Sequence, residues 1–470
     1  MMRSFMRTLQ VKRLSSLFKK ETTRYVAQVN AFRAEGMRTK WKEQPKTEAP
    51  IDTREKYASQ IYDLVLKYNN DGKSDALRNL FPPQTEIFYD LTTQKETASH
   101  IEKIVCIKDD LFLIRMITPQ FSPEHTLSSF QGGCYLHQGN RFTKLDDVKG
   151  FGVCPRKQIY AYVKSDAIEL RNGWDGDILR TIALPQSVTL SFPDGSIAQD
   201  HFELSHRMAD LCLPFSDGKR ILLGHEEHGV LLVDEERYTV LLPTQQDVLD
   251  DQETAHAFGE DDDAEDQFLS QGALDMGDYP MLHLALSHNN AYIALGHQCS
   301  SHRLYGCAGA LLGEGEPASS YPHYALFSKD DKQVMFNACH FYNGATIALS
   351  VAHMASRDAV SQDKAIELDT ESRVYAGVST SFGYIIGDAQ GYIRARDHDG
   401  VYLWDDYLGF NIKAMDITDD ETFLYVGTYK GIIYKIQLNT GKRSPYQIGN
   451  STNMEVARWM FWEKDQILKW

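Results

Sequence analysis

Apolar and polar positions alternate along most of this chain in short bursts, and the clearest burst runs from Ile412 to Asn450. Ile412-Lys-Ala-Met-Asp-Ile417 alternates as a half-buried strand does. Thr418 to Glu421 reads as a turn. Phe423-Leu-Tyr-Val-Gly427 is a near-continuous apolar strand that ends on glycine. A second turn at Tyr429-Lys-Gly431 leads to a third strand, Ile432 to Leu438. Asn439-Thr-Gly-Lys442 turns again, and Tyr446-Gln-Ile448 begins a fourth strand. Four short strands joined by tight turns predict one antiparallel meander.

The same grammar recurs upstream. Val374 to Val378, Tyr384 to Gly387, Gly391 to Arg396 and Val401 to Trp404 form one set. Asp210 to Leu213, Ile221 to Gly224, Val230 to Val233 and Tyr238 to Leu242 form another. Further sets start at Ile104, Gly152, Leu282 and Tyr324, which makes seven with the unit at Ile412. Glycine closes the second strand at Gly224, Gly296, Gly387 and Gly427, the last two 40 residues apart. Ala457-Arg-Trp-Met-Phe-Trp462 and Ile467 to Trp470 read as the first two strands of a further unit. Glu86 to Leu91 would supply its outer strand, which leaves the count at seven or eight.

A period near 40 residues with four strands per unit is the signature of a propeller blade. On that period and strand grammar, residues 86–470 resemble the WD40-like β-propeller superfamily. The resemblance implies an all-β propeller of seven or eight four-stranded blades. The dipeptides Trp174-Asp175, Trp404-Asp405, Gly224-His225 and Gly296-His297 fall outside that family's usual positions.

Residues 1–85 read differently. They predict a basic helical arm: twelve Lys/Arg stand against four Glu in the first 48 residues. Met1 to Lys20 has no acidic residue, and Phe5, Met6, Leu9, Leu14, Leu17 and Phe18 favour a helix there. An Arg-rich, acid-poor start is also how a mitochondrial transit segment reads. Glu43 to Pro50 reads as a linker. Asp52 reads as the cap of a helix carrying Ile61, Leu64, Val65 and Tyr68. A short helix from Asp75 to Phe81 stops at Pro82-Pro83. The pair is expected to pack on a face or edge of the repeats. The seven cysteines form no C-x-x-C pair, which disfavours zinc ribbons and disulfide frameworks and suits a reducing, cytoplasmic setting.

The net charge of −16 is unevenly spread, with no Lys or Arg between Tyr238 and His302. An acidic insertion at 244–279 carries twelve Asp/Glu from Asp247 to Asp278, densest at Asp261-Asp262-Asp263-Ala-Glu265-Asp266 and followed by Phe268. It lacks the glycine and closing glutamate of an EF-hand. The resemblance also implies that turns between second and third strands share the binding face with the links between blades. Those turns hold His225, His228, His297, Cys299, His302, Asp388 and Tyr429. Imidazole and thiolate suit zinc or copper, so His225, His228, His297 and His302 are the candidate metal ligands. The plainer reading of all of them is turn chemistry.

No G-x-S-x-G elbow, Walker A loop or sialidase-type box is present. The expectation is therefore a non-catalytic protein-binding module without cofactor: a scaffold, or an immunity-type inhibitor of a basic partner. Its partner-binding candidates are Asp261, Asp262, Asp263, Glu265, Asp266, Phe268, His225, His297, Asp388 and Tyr429. Two alternatives stand beside it. One is an enzyme with a metal at the propeller face. The other is a nucleic-acid contact through the basic arm.

Overall fold

The computed structural model describes residues 2–39, 41–84, 86–88, 99–121, 127–184, 187–204, 211–249, 279–340, 343–356, 364–463 and 466–470. The densest part of the acidic insertion, including Asp261 to Asp266 and Phe268, lies outside these.

Among the described residues, seven sheets follow one another along the chain. They span 100–144, 150–183, 188–242, 283–315, 322–369, 374–407 and 412–469. Five are four-stranded and run in strict chain order. The third is widened by a hairpin that sequence patterning misses, Val188–Ser191 with Ile197–Phe202, which joins the edge strand in parallel. A channel of about 860 Å³ touches the first strand of every sheet, at Val105, Val153, Leu213, Leu286, Phe327, Val378 and Ile417. The first strands therefore surround a common axis. The WD40-like propeller resemblance holds as architecture, with a small helical region ahead of it.

Apolar clusters fill the gaps between neighbouring sheets. One joins Ile101, Ile104 and Phe112 of the first sheet to Tyr425, Ile433 and Trp459 of the seventh, so the ring is shut by face packing. The glycines that end second strands have a physical cause. A Cβ on Gly387 would lie 2.4 Å from Ile412 Cγ2, and one on Gly427 would lie 2.5 Å from Ile101 Cγ2. The next sheet's first strand passes too close for any side chain.

Several expectations change. The fourth strand of the last sheet is Met454–Met460, not Tyr446 to Ile448. Gly441, Pro445 and Gly449 break the intervening stretch, which bends back onto Asp406 instead. Trp459 and Met460 thus belong to the seventh sheet, with Leu468–Lys469 as its fifth strand, and start no eighth unit. Glu86–Phe88 is a 3₁₀ turn and not an outer strand.

The arm is one long helix, α1 (Met2–Arg38), followed by α2 (Ala58–Asn70) and α3 (Ser74–Leu80). The buried stripe of α1 is Ser15, Phe18, Thr22 and Val26, at helical spacing but of mixed polarity. Leu9 and Leu17 face water. Asp52 caps no helix. Its carboxylate grips the Arg54 guanidinium at 2.8 and 2.6 Å. Arg54 is fully buried, stacks over Tyr25 of α1 and also reaches Gln84 and Glu86, so it ties the arm together. The arm then docks on the last sheets. Arg33 pairs with Asp405 at 2.7 Å, and Arg78 pairs with Glu455 at 2.6 Å. The Asn69 side chain bonds both the N–H and the C=O of Lys469, as a neighbouring strand would.

Candidate functional site

Two faces are distinguished by their turns. Turns between second and third strands bond to the links between sheets: Tyr279 N to Glu226 O, Gln298 N to Pro280 O, Ala389 N to Arg373 O, Tyr429 N to Asn411 O. Turns between first and second strands bond instead to third–fourth turns, as Cys307 N does to Ala291 O and Leu438 N to Thr422 O.

The opposite, first–second-turn face is a self-satisfied ring. In six of its seven turns a residue takes a left-handed conformation: Asp110, Lys157, Gly218, Asn290, Asp331 and Glu421. Ser287, Ser328 and Thr418 each bond an Asn or Asp two residues on. Neighbouring turns are then tied together. Asp331 accepts the backbone N–H of His288 and Asn289, and Glu421 accepts from Ser381 and Lys329. Lys157 reaches Asp416 at 2.8 Å and the carbonyls of Cys106 and Ile417. Burial opposes its charge, but Asp416 outweighs that and holds its pKa above the usual lysine value. Asp330, Asp331, Asp416 and Asp420 are thus consumed by structure.

The second–third-turn face carries the sequence candidates. His225 and His228 stack at 5.1 Å, and with Glu227 their ligand atoms lie within 4.8 Å of one another. His297 is separate: it meets Tyr279 edge-on, and its partial burial pushes it below the usual histidine pKa. Cys299 is exposed. Tyr429 is exposed and stacks on His100, its ring 3.6 Å away. Burial, with Lys413 and Lys430 nearby, lowers the His100 pKa to about 4.

Two candidates are not at this surface. His302 opens a third strand, is fully buried and stacks on Phe336 at 4.1 Å. Asp388 is fully buried too. It accepts the N–H groups of Gln390 and Tyr392 and pairs with Arg394, which closes its own turn. Neither can touch a partner.

The acidic insertion is moored to the same face at both ends. At its start, Asp247 takes a two-pronged bond from Arg303 at 2.6 and 2.7 Å. After it, Tyr279 N bonds Glu226 O at 2.6 Å and Met281 N bonds the Glu226 carboxylate at 2.9 Å. Sequence reading missed this mooring, because Arg303 stands 56 residues from Asp247. It also missed the buried His283 and His323. A signal for those existed: His283-Leu-Ala-Leu286 and His323-Tyr-Ala-Leu326 repeat a pattern at the head of successive first strands.

No family model matches the chain, and no curated protein matches its sequence. Among solved structures it is similar to the computationally designed protein Ika8. That match has 13% identity, covers 72% of this chain and 96% of that one, and has a TM-score of 0.40. It is also similar to the β-propeller domain of Cps50 (Swd1) of Myceliophteria thermophila. There the identity is 8%, the coverage 70% of this chain and 93% of that one, and the TM-score 0.40. No helix among the described residues is long and apolar enough to cross a membrane.

Proposed function

We propose that this protein is a non-catalytic interaction module whose second–third-turn face receives a positively charged protein partner. Each of the seven sheets serves as one blade of the scaffold. One observation carries the reading: both ends of the twelve-carboxylate segment are tied into that face, through Asp247–Arg303 and Tyr279–Glu226. Asp247, near where the described chain leaves off, and Tyr279, where it resumes, are thus both fixed on that face. Propellers commonly bind proteins on a face of loops set by a rigid ring. Electrostatic recruitment of this kind speeds association and weakens with salt.

The test uses full-length protein and a variant lacking 250–278, each titrated with a fluorescent decalysine peptide and with a basic protein captured from native lysate. Full-length protein binds both more tightly, and its advantage shrinks between 50 and 500 mM NaCl. Equal affinity of the two proteins at low salt defeats the reading.

A second reading, an enzyme with a metal at this face, is favoured by the close grouping of His225, Glu227 and His228. The grouping does not include His297. Metal analysis of His225→Ala/His228→Ala against wild type separates the readings. Hydrolytic or redox turnover lost in the double variant would establish the enzyme.

A further inference from the structure

Helix α1 is buried along one side, where Ser15, Phe18, Thr22 and Val26 meet the rest of the arm, and open along the other. On the open side Leu9, Arg13, Lys20, Arg24 and Arg38 fall on one line by helical spacing, and all five are exposed. The steps between them fall on Ser16, Ala27, Ala31 and Ala34, so small residues separate the cations. Lys12 and Leu17 flank the line. From Leu9 to Arg38 it runs about 44 Å, at about 1.5 Å per residue.

Two features set this strip apart from an ordinary solvated helix face. The first is that it holds no acid. The chain carries 65 Asp/Glu against 49 Lys/Arg. Yet every exposed charged residue of α1 from Leu9 onward is a cation: Lys12, Arg13, Lys20, Arg24 and Arg38. The two glutamates of that stretch are engaged elsewhere. Glu21 accepts from Lys56 and Tyr57, and Glu35 accepts from the N–H and hydroxyl of Thr47. Solvated helices usually lace opposite charges at four-residue spacing, whereas Lys20 and Arg24 are a like-charged pair at that spacing and repel. Arg24 gives one bond to the Thr53 hydroxyl; among the described residues Lys12, Arg13 and Lys20 enter no ion pair.

The second feature is that the strip is partly apolar. Leu9 and Leu17 are 48% and 42% exposed. A nucleic-acid backbone would neutralise the cations and leave both leucines in water. The surface of an anionic bilayer takes both kinds of residue: headgroups meet the cations, and the acyl boundary buries the leucines.

We propose that the open side of α1 is a docking strip for an anionic lipid surface, on which the helix lies flat. Recognition is by charge and not by headgroup shape, since the cations are spread along a line rather than gathered at one point. The net charge of the chain does not oppose this. Attraction to the bilayer acts within about 8 Å at physiological salt, so the bilayer meets the strip's charge and not the total. The proposal uses the arm and not the second–third-turn face, so it does not depend on the partner-binding reading.

The experiment sediments full-length protein with vesicles of phosphatidylcholine alone and with vesicles containing about 30% phosphatidylserine. The protein is expected to pellet with the anionic vesicles only, and less at 500 mM than at 50 mM NaCl. A lysine or arginine beside such a surface is worth roughly fivefold in affinity, so Lys12→Gln/Arg13→Gln/Lys20→Gln weakens binding about 100-fold. All three side chains are exposed, so far-UV circular dichroism and the unfolding midpoint stay those of wild type. Leu9→Ser/Leu17→Ser keeps every charge and weakens vesicle binding by about tenfold or more. A short DNA duplex and the variant lacking 250–278 complete the set. No pelleting with anionic vesicles, or equal binding by either substituted protein, overturns the proposal. So does tighter binding to DNA than to vesicles, which would assign the strip to nucleic acid. Vesicle binding seen only once 250–278 is removed also overturns it, and would assign the strip to this chain's own acidic segment.

Discussion

Acidification should destabilise this protein well before its carboxylates are neutralised, and the buried histidines set the size of the effect. His137, His283, His302 and His323 are all buried. Burial, the dominant cause in each, lowers His283 to about 3 and both His137 and His323 to about 4, and takes His302 well below its ordinary value. The unfolded chain binds their protons near pH 6.5, so between that value and about 4 the unfolded state holds more protons than the native one. Stability is therefore complete above pH 6.5 and falls as the pH drops. Each such imidazole costs about 2 kcal/mol at pH 5.0, and four cost about 8. Asp406 acts in the opposite sense. Its burial raises it to about 6 despite bonds from Ser451 and Gln447, so the native state takes up its proton first. That returns about 1.4 kcal/mol at pH 5.0. The net loss of about 6–7 kcal/mol compares with a total stability of about 5–15 kcal/mol for a typical protein. Urea unfolding at pH 7.5, 6.0 and 5.0 measures it. His302→Phe is the control, since a phenyl ring fills the slot against Phe336 and removes two orphaned nitrogens. It should match or exceed wild type at pH 7.5 and lose about 2 kcal/mol less by pH 5.0. A flat wild-type profile, or an unchanged slope in the variant, refutes the argument.

Other outcomes follow from single contacts. Arg54→Leu takes a fully buried cation away from the partly exposed carboxylates of Asp52 and Glu86, and should cost about 1–3 kcal/mol and expose residues 1–84 to limited proteolysis. Gly427→Ala drives a methyl group into Ile101 and should lower stability by about 1–3 kcal/mol, read by chemical unfolding. Trp470→Ala removes a fully buried indole that donates to Phe81 O and should cost about 3–5 kcal/mol. Asn69→Leu leaves the N–H and C=O of Lys469 unpaired and should promote concentration-dependent association, seen by light scattering.

The repeat was legible because its signals are local. Alternation over four to six residues, a turn, and a glycine where the next first strand crosses all sit within one stretch of chain. The bend from Gly441 to Asn453 was misread because what holds it is remote: Gln447 and Ser451 bond Asp406, more than 40 residues back. The arm's docking was hidden for a related reason. Its buried stripe includes the polar Ser15 and Thr22, Ser15 donates to Leu80 O, and Arg33 further along the helix pairs with Asp405. Candidate surface residues divided along the same line. Tyr429 is on the face, whereas Asp388 ends a second strand, His302 opens a third, and both are fully buried.

How the ring is shut explains why the arm exists. Sequence grammar suggested that the two ends of the chain would share one sheet. Instead, the seventh sheet is built wholly from C-terminal residues, and the seam with the first sheet is made by side chains. Tyr425 donates to Asp109 and accepts from Asp110 N, and Lys435 pairs with both aspartates. Such a seam needs no shared strand, but it leaves the outer edge of the seventh sheet at Leu468–Lys469 unpaired. An exposed edge of that kind invites pairing with another molecule. Asn69 supplies the missing bonds, Trp470 seals against Phe81, and Arg78 anchors Glu455. The helices are therefore the cover of the last sheet. Removing residues 1–84 should produce self-association rather than a smaller monomer, and a stable, monomeric 85–470 fragment would show that the edge needs no cover.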